Sequence, residues 1–486
     1  MIRLLAAAIV LSMGTAWAKP PRLALFVSLD SFGSDVFQRN RARFKAGLGR
    51  VSSDGAVVPV VRYEVAECVT AEGHTTLATG AYPWRHGIVG NRIINRSTGK
   101  LEPVFVDPGH PVLDAPLGLD DASPANLLAE TVSDRLRAST GSVGKAISIA
   151  GKARAAIAMG GKLGEAWWFH EPQGRFVTGT WYLKEAPAWV KGFNDKKLPD
   201  GYHAKRWELS GSPKDMLGED DRPLESDWYG MGRTFPHGLT GGLPGPGPQS
   251  YSALASSPFM NDVLVEFAKA AIEANQLGKD DVPDLLSISL SPLDRTYHLY
   301  GPTSWEMQDH LTKLDKSLGD LFTAAERAAG GKQNLVIMIS GDHGGAALPE
   351  EWAALGLDGV RVAPTTIEKA LNDELAKLGV ANAVLAIEET DVYLDLKAIA
   401  DKKLDGAVVR RAAAAFLAKL PDVAFAVARD DLATAEAAGF GAALRHGWYP
   451  ERSGDVVMVL KPFHVLESEP RGTSHGTPYS YDSEVP

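Results

Sequence analysis

Short apolar runs alternate with amphipathic helical repeats along most of this chain. Leu23 to Leu29 is a run rich enough in branched residues for a buried strand, and Lys145 to Ala150, Leu285 to Leu290 and Leu335 to Ser340 read the same way. Asn261 to Leu277 has helical spacing. From Met307 through Leu311, Leu314, Leu318 and Leu321 the apolar residues step by three and four, which predicts a helix laid on a sheet. Asp309, His310 and Asp315 fall on the other faces of that helix and are expected in solvent. The whole predicts an α/β fold with a mostly parallel central sheet flanked by helices.

Two stretches break the pattern. From about Gly160 to Gln249, Trp167, Trp168, Trp181, Trp189, Trp207 and Trp228 cluster among glycines and prolines, which predicts a long irregular insertion over the active face. Most of these tryptophans are expected in a core, with one or two at a substrate entrance. From about Pro349 to Pro462, helical segments at Thr365 to Leu378 and Asp405 to Leu420 alternate with runs at Asp391 to Leu396 and Asp455 to Leu460. This reads as a small α+β cap subdomain over 346–462, which divides the catalytic domain into 19–345 and 463–486.

At 486 residues and 45% hydrophobic, the chain can bury a large core in more than one folding unit. Arg3, the apolar run from Leu4 to Met13 and Ala16-Trp17-Ala18 predict a signal peptide over 1–18, and hence a periplasmic or secreted protein. That run is shorter than the roughly 20 residues a membrane span needs, and no later stretch reads as a span. The single Cys68 cannot form an internal disulfide and is expected as a free thiol. A net charge of −10 argues against a broad basic face for nucleic acid, so any field that attracts an anionic substrate must be local.

The chemistry gathers around Cys68-Val69-Thr70-Ala71-Glu72-Gly73-His74, where a threonine stands at an apparent helix start, near the positive ends of peptide dipoles. An unassisted threonine hydroxyl is a weak nucleophile, and metal coordination is one way to activate it. Acids and imidazoles suited to metal stand far apart in sequence: Asp30, Asp294, His298, Asp342, His343 and His475. Asp30 follows the first strand, at the end where open parallel sheets bind ligands. Asp294 and His298 lie on a turn after the third strand, and Asp342-His343 sits among Gly341, Gly344 and Gly345, where the backbone can turn sharply around a cation. Lys152 and Arg154, two apart in an expected extended segment, project to the same face, where both could reach a phosphate dianion, although spacing alone favours a solvated basic pair.

The Thr70 segment, Asp294-Arg295-Thr296-Tyr297-His298 with Gly301-Pro302, Gly341-Asp342-His343-Gly344 and Thr473-Ser474-His475-Gly476 together resemble the alkaline phosphatase superfamily. The likeness is to its threonine-nucleophile, PafA-type branch, which is related to nucleotide pyrophosphatase/phosphodiesterases, and it runs from about Leu23 to the last residue. The resemblance implies two zinc ions, one held by Asp294, His298 and His475 and the other by Asp30, Asp342, His343 and the Thr70 oxygen. It implies attack by Thr70 on small-molecule phosphate monoesters through a phosphothreonine, with Asn91, Lys152 and Arg154 on the phosphate oxygens, and it implies structural roles for His74 and His86. Ala153 stands where the family often has an acidic residue.

A monomer is expected. A diesterase with the same metals is the near alternative, and an inactive secreted binding protein on the same scaffold is the alternative of another class. A sulfatase is disfavoured because Cys68 does not begin a Cys-x-Pro-x-Arg motif, and a phosphoglycerate mutase-like enzyme because that branch would carry a serine at position 70. Chains of this kind continue for several dozen residues past Tyr481 to Pro486, adding a strand and a helix, so a truncated product with a weakened sheet around His475 is expected.

Overall fold

The computed structural model describes residues 19–115, 121–222 and 224–486, and the expected signal peptide at 1–18 lies outside them. The chain folds around a six-stranded sheet made by β1 (Leu23–Leu29), β2 (Ala146–Ala150), β3 (Glu165–His170), β4 (Arg175–Val177), β5 (Asp284–Leu290) and β6 (Leu335–Gly341). Its order is β6-β1-β5-β2-β3-β4, parallel throughout except for the β3–β4 pair. Every residue of β5 is buried and all but one of β1, as a sheet covered by helices on both faces requires. The helices that position the site are α1 (Thr70–Thr79), α2 (Ala153–Gly160), α3 (Phe259–Ala274), α4 (Pro292–Tyr300) and α5 (Trp305–Ala329).

Three expectations change. The stretch from 160 to 249 begins by completing the sheet, because β3 and β4 lie within it, and it becomes irregular only beyond Val177. Trp167 and Trp168 misled the reading: adjacent bulky aromatics look like an insertion, but on a strand they point to opposite faces, and both are buried. Trp207 is buried too, whereas Trp228 is 44% exposed.

The second change concerns α5. Asp309, His310 and Asp315 are 2%, 0% and 3% exposed rather than solvated. Asp309 accepts from Trp207 Nε1 at 2.6 Å and Ser210 N at 2.7 Å. His310 bonds to Asn261 Nδ2 and Thr296 Oγ1, each at 2.7 Å, and burial drives its pKa down to about 3. Asp315 accepts the backbone N–H groups of Lys45, Ala46, Leu48 and Gly49, capping the helix Gly47–Asp54. The apolar stripe shows which face meets the sheet, but the other faces here meet further protein.

Third, Lys152 and Arg154 are not on an extended segment. Lys152 is the residue before α2 and Arg154 lies in its first turn.

The residues between the end of β6 and the last metal-ligand candidate include a second sheet, made of β7 (Val384–Glu388), β8 (Asp391–Leu394), β9 (Val423–Ala428) and β10 (Val456–Leu460), antiparallel in the order β7-β8-β10-β9. It packs its own core around Leu371, Leu375, Val392, Leu417 and Met458, separate from the core of the main sheet. Glu484–Val485 pairs antiparallel with Val61–Arg62.

Candidate active site

The carboxyl ends of β1, β5 and β6 form one rim, and the sequence leaves each strand there with chemistry in hand. β1 delivers Asp30 and Ser31, β5 leads into α4 with Asp294 and His298 one helical turn apart, and β6 ends in Asp342 and His343. Helix α1 crosses this rim closely: a Cβ on Gly73 would stand 2.2 Å from the Asp342 carbonyl oxygen, so only glycine fits there.

The structure brings every sequence-predicted residue together. Asp294, His298 and His475 place ligand atoms within 4.8 Å of one another, as do Asp30, Asp294 and His343. Lys152 Nζ lies 2.8 Å from Asp30 Oδ2, 2.5 Å from Asp294 Oδ2 and 3.2 Å from Thr70 Oγ1. Arg154 Nη2 lies 3.4 Å from the same hydroxyl oxygen. Asn91 Oδ1 accepts the Ala71 N–H at 3.0 Å, so the amide end of its side chain is the end that can donate to a ligand.

Backbone carbonyls orient the imidazoles. His298 Nδ1 donates to Thr473 O at 2.8 Å, His343 Nδ1 to Gly344 O at 2.8 Å and His475 Nδ1 to Cys68 O at 2.9 Å. A carbonyl oxygen only accepts, so each Nδ1 carries its hydrogen and each Nε2 turns to the carboxylates. His298 Nε2 and His475 Nε2 stand 3.3 and 3.5 Å from Asp294 Oδ1, and His343 Nε2 stands 3.5 Å from Asp30 Oδ1.

Burial and mutual charge set the electrostatics. Burial pushes the Asp30 carboxyl up and Asp342 adds to this, while Lys152 pulls the other way. Burial also acts on Asp294, but Lys152 and His298 outweigh it and hold that carboxyl well below the usual carboxylate range. Burial opposes charge on His475, yet its bond to Asp294 lifts it to about 9; burial and the charge of His475 push His343 well down.

Three buried carboxylates this close need cations. Asp30 Oδ1 and His343 Nε2, 3.5 Å apart, have no hydrogen-bond partner despite their burial, while Asp30 Oδ2 is met by Lys152 and Asp342 Oδ2 by His74. Unfilled lone pairs on oxygen and nitrogen, with no thiolate among them, fit a divalent metal such as zinc. Asp30, His74 and Asp342 also come within 4.8 Å. His74, however, spends Nδ1 on Thr70 O at 2.8 Å and Asp342 at 2.9 Å, and Nε2 on Ser289 Oγ at 2.8 Å, so it is better placed to orient than to ligate. His86 is engaged by Thr76 Oγ1 and Ile88 N, each at 3.1 Å.

Sequence reasoning missed Ser31. It takes the left-handed conformation at φ 61°, donates its N–H to Asp342 Oδ1 at 3.1 Å and its hydroxyl to Asp294 Oδ1 at 2.5 Å, and so ties two of the clustered carboxylates together. Its place directly after Asp30 was the only available signal. Beside the cluster opens a cleft of about 990 Å³ lined by Asn91, Lys152, Arg154, Trp168, Phe169 and Arg295, among others. Trp168, although buried, thus lines this cleft.

This fold and rim have counterparts among known proteins. The chain belongs to the type I phosphodiesterase / nucleotide pyrophosphatase family, whose model matches residues 24–480, and it is a phosphoric ester hydrolase. Within that family it is similar to alkaline phosphatase PafA of Elizabethkingia meningoseptica, at 30% identity over 96% of this chain and 86% of that one. It is also similar to alkaline phosphatase PhoV of Synechococcus elongatus, at 30% over 96% and 84%. The crystal structure of wild-type PafA superposes with a TM-score of 0.90 at 29% identity, covering 96% of this chain and 90% of that one. The alkaline-phosphatase-like fold expected from the sequence is therefore the fold observed. Among the described residues no helix is long and apolar enough to cross a membrane.

Proposed function

We propose that the chain is an exported, monomeric, zinc-dependent phosphatase that hydrolyses small phosphate monoesters through a phosphothreonine at Thr70. The observation that carries this is the convergence of Lys152 Nζ and Arg154 Nη2 on Thr70 Oγ1, at 3.2 and 3.4 Å, beside the carboxylate and imidazole cluster. One zinc would be held by Asp294, His298 and His475, the other by Asp30, Asp342, His343 and the Thr70 oxygen. Bound there, the two ions supply positive charge that favours the deprotonated hydroxyl and offsets charge gathering on the attacking and leaving oxygens. In one solved PafA variant a threonine, an asparagine, a lysine and an arginine are replaced together, the four residue types proposed here.

Thr70 Oγ attacks phosphorus, forming an O–P bond as the bond to the leaving alcohol breaks; water then cleaves the phosphothreonine and releases phosphate. Lys152, Arg154 and the Asn91 amide donate to the non-bridging oxygens as charge shifts among them. The catalytic domain takes 19–345 and 463–486, with 346–462 as its cap. A second reading, a diesterase, is favoured by the description of the family itself. A diester lacks one charged oxygen, so a site with both Lys152 and Arg154 gains more from a monoester dianion.

The test is turnover of p-nitrophenyl phosphate against bis-p-nitrophenyl phosphate with zinc supplied, alongside Thr70→Ala. The monoester should be faster, and Thr70→Ala should lose at least about 10³-fold in kcat together with the phosphate that mass spectrometry finds on the Thr70 peptide after an acid quench. Faster diester turnover selects the second reading.

A further inference from the structure

The cleft holds two cations beyond those the reaction uses, Arg92 and Arg295, and of these Arg295 is held by a carboxylate of the cleft wall. Arg295 follows Asp294 in α4 and lines the same cleft as Lys152 and Arg154. Its Nη2 pairs with Glu171 Oε1, and the other Glu171 oxygen accepts the Ser252 hydroxyl at 2.8 Å. Glu171 and Ser252 line the cleft as well. The carboxylate is therefore anchored by Ser252 on one side and aims the guanidinium with the other. Among the described residues only Nη2 of Arg295 is engaged, and its side chain is 26% exposed, so the other N–H donors face the cleft without a partner there.

A neutral leaving alcohol offers those donors only hydroxyl oxygens and no charge to match the guanidinium. Phe105, Trp168 and Phe169 give the same cleft an apolar wall against which a carbon skeleton can lie. A planar guanidinium held in place by its own carboxylate is suited to a second oxyanion, which it meets with paired N–H groups.

We infer that Arg295, oriented by Glu171 and Ser252, is a specificity residue for a second anionic group carried by the leaving alcohol. The substrate class is then phosphate monoesters that also bear a carboxylate or another phosphate. This rests on the phosphomonoesterase reading and narrows it.

The test measures kcat and KM of the zinc-loaded full chain on two matched pairs: 3-phosphoglycerate with glycerol 3-phosphate, and 4-carboxyphenyl phosphate with phenyl phosphate. Dividing anionic by neutral kcat/KM within a pair, then comparing protein variants, cancels the intrinsic reactivity of the leaving groups. Arg295→Gln should lower that ratio about tenfold or more in at least one pair, mainly through KM, and Arg295→Lys should recover part of it. Ser252→Ala, which removes only the anchor of Glu171, should lower the ratio about two- to threefold and serves where Arg295→Gln does not fold. A ratio unchanged in both pairs overturns the inference, as does an equal loss on all four substrates, which would make Arg295 merely a latch between α4 and Glu171. A parent chain inactive on all four overturns the phosphatase reading first; activity with unchanged ratios overturns only this one.

Discussion

The rim of the sheet and the flank of α5 both keep carboxylates out of water, and they do it in opposite ways. On α5, Asp315 accepts four backbone N–H groups and Asp309 accepts an indole and a backbone N–H. On the rim, Asp30, Asp294 and Asp342 crowd together; Asp30 Oδ2 is met only by Lys152 at 2.8 Å, and Oδ1 has no hydrogen-bond partner. Burial costs a carboxylate several kcal/mol unless its lone pairs are filled, and N–H groups fill them on the helix. The rim fills them only in part, with Lys152 between Asp30 and Asp294, and leaves Asp30 Oδ1 open. Degree of burial therefore does not separate the rim acids from those on α5, but hydrogen-bond saturation does.

Asp30→Asn and Asp315→Asn split the two cases. Asp30→Asn should lower kcat/KM by on the order of 10³-fold and weaken zinc uptake measured by competition with a chelator. In the metal-free protein it should leave the thermal midpoint unchanged or raise it, because it removes a charge from a crowded cluster. A metal-free midpoint that drops by several degrees would show that Asp30 is structural after all.

Asp315→Asn should do the reverse. An amide oxygen can keep part of the N–H set, but the NH₂ group then faces donors, and the helix Gly47–Asp54 loses the charge at its N-terminus. The expected cost is about 2–3 kcal/mol, read as a shift in the denaturant midpoint, with kcat and KM within twofold of the parent. Altered KM would place Asp315 on the functional side of the divide.

Most of the sheet was legible because strands buried on both faces are written as continuous apolar runs, and the rim because Asp30, Asp342 and His343 stand directly where those runs stop. Lys152 and Arg154 do share one face, converging on Thr70 Oγ1, but for a different local reason from the one expected. A cap residue and a first-turn residue can aim at one point as well as two positions on a strand can. What sequence could not carry was the third dimension behind α5: Asp309, His310 and Asp315 have the spacing of a solvated face, and only tertiary packing against Trp207, Thr296 and the Gly47–Asp54 helix buries them. Ser31 was invisible for another reason. Its importance lies in a backbone conformation, φ 61°, that no residue pattern announces.

Glu225 tests the comparison from a third position. It is fully buried with neither oxygen hydrogen-bonded, more extreme than Asp30, yet it is absent from the three groupings among the described residues that could hold a metal. Arg222 Nε approaches only to 3.6 Å. Burial, with Glu306 adding to it, raises this carboxyl from 4.5 to about 9. A proton, not a metal, therefore answers its burial at neutral pH. The folded pKa lies above the unfolded one, so its contribution to stability is fully present below about 4.5 and is lost as pH rises toward about 9. Glu225→Gln keeps the shape and removes the titration. The melting temperature of the variant minus that of the parent should therefore grow steadily more positive from pH 5 to pH 9. A difference that stays flat across that range would mean Glu225 is ionised when folded, and that hydrogen-bond saturation is a poorer guide to site residues than the rim and α5 suggest.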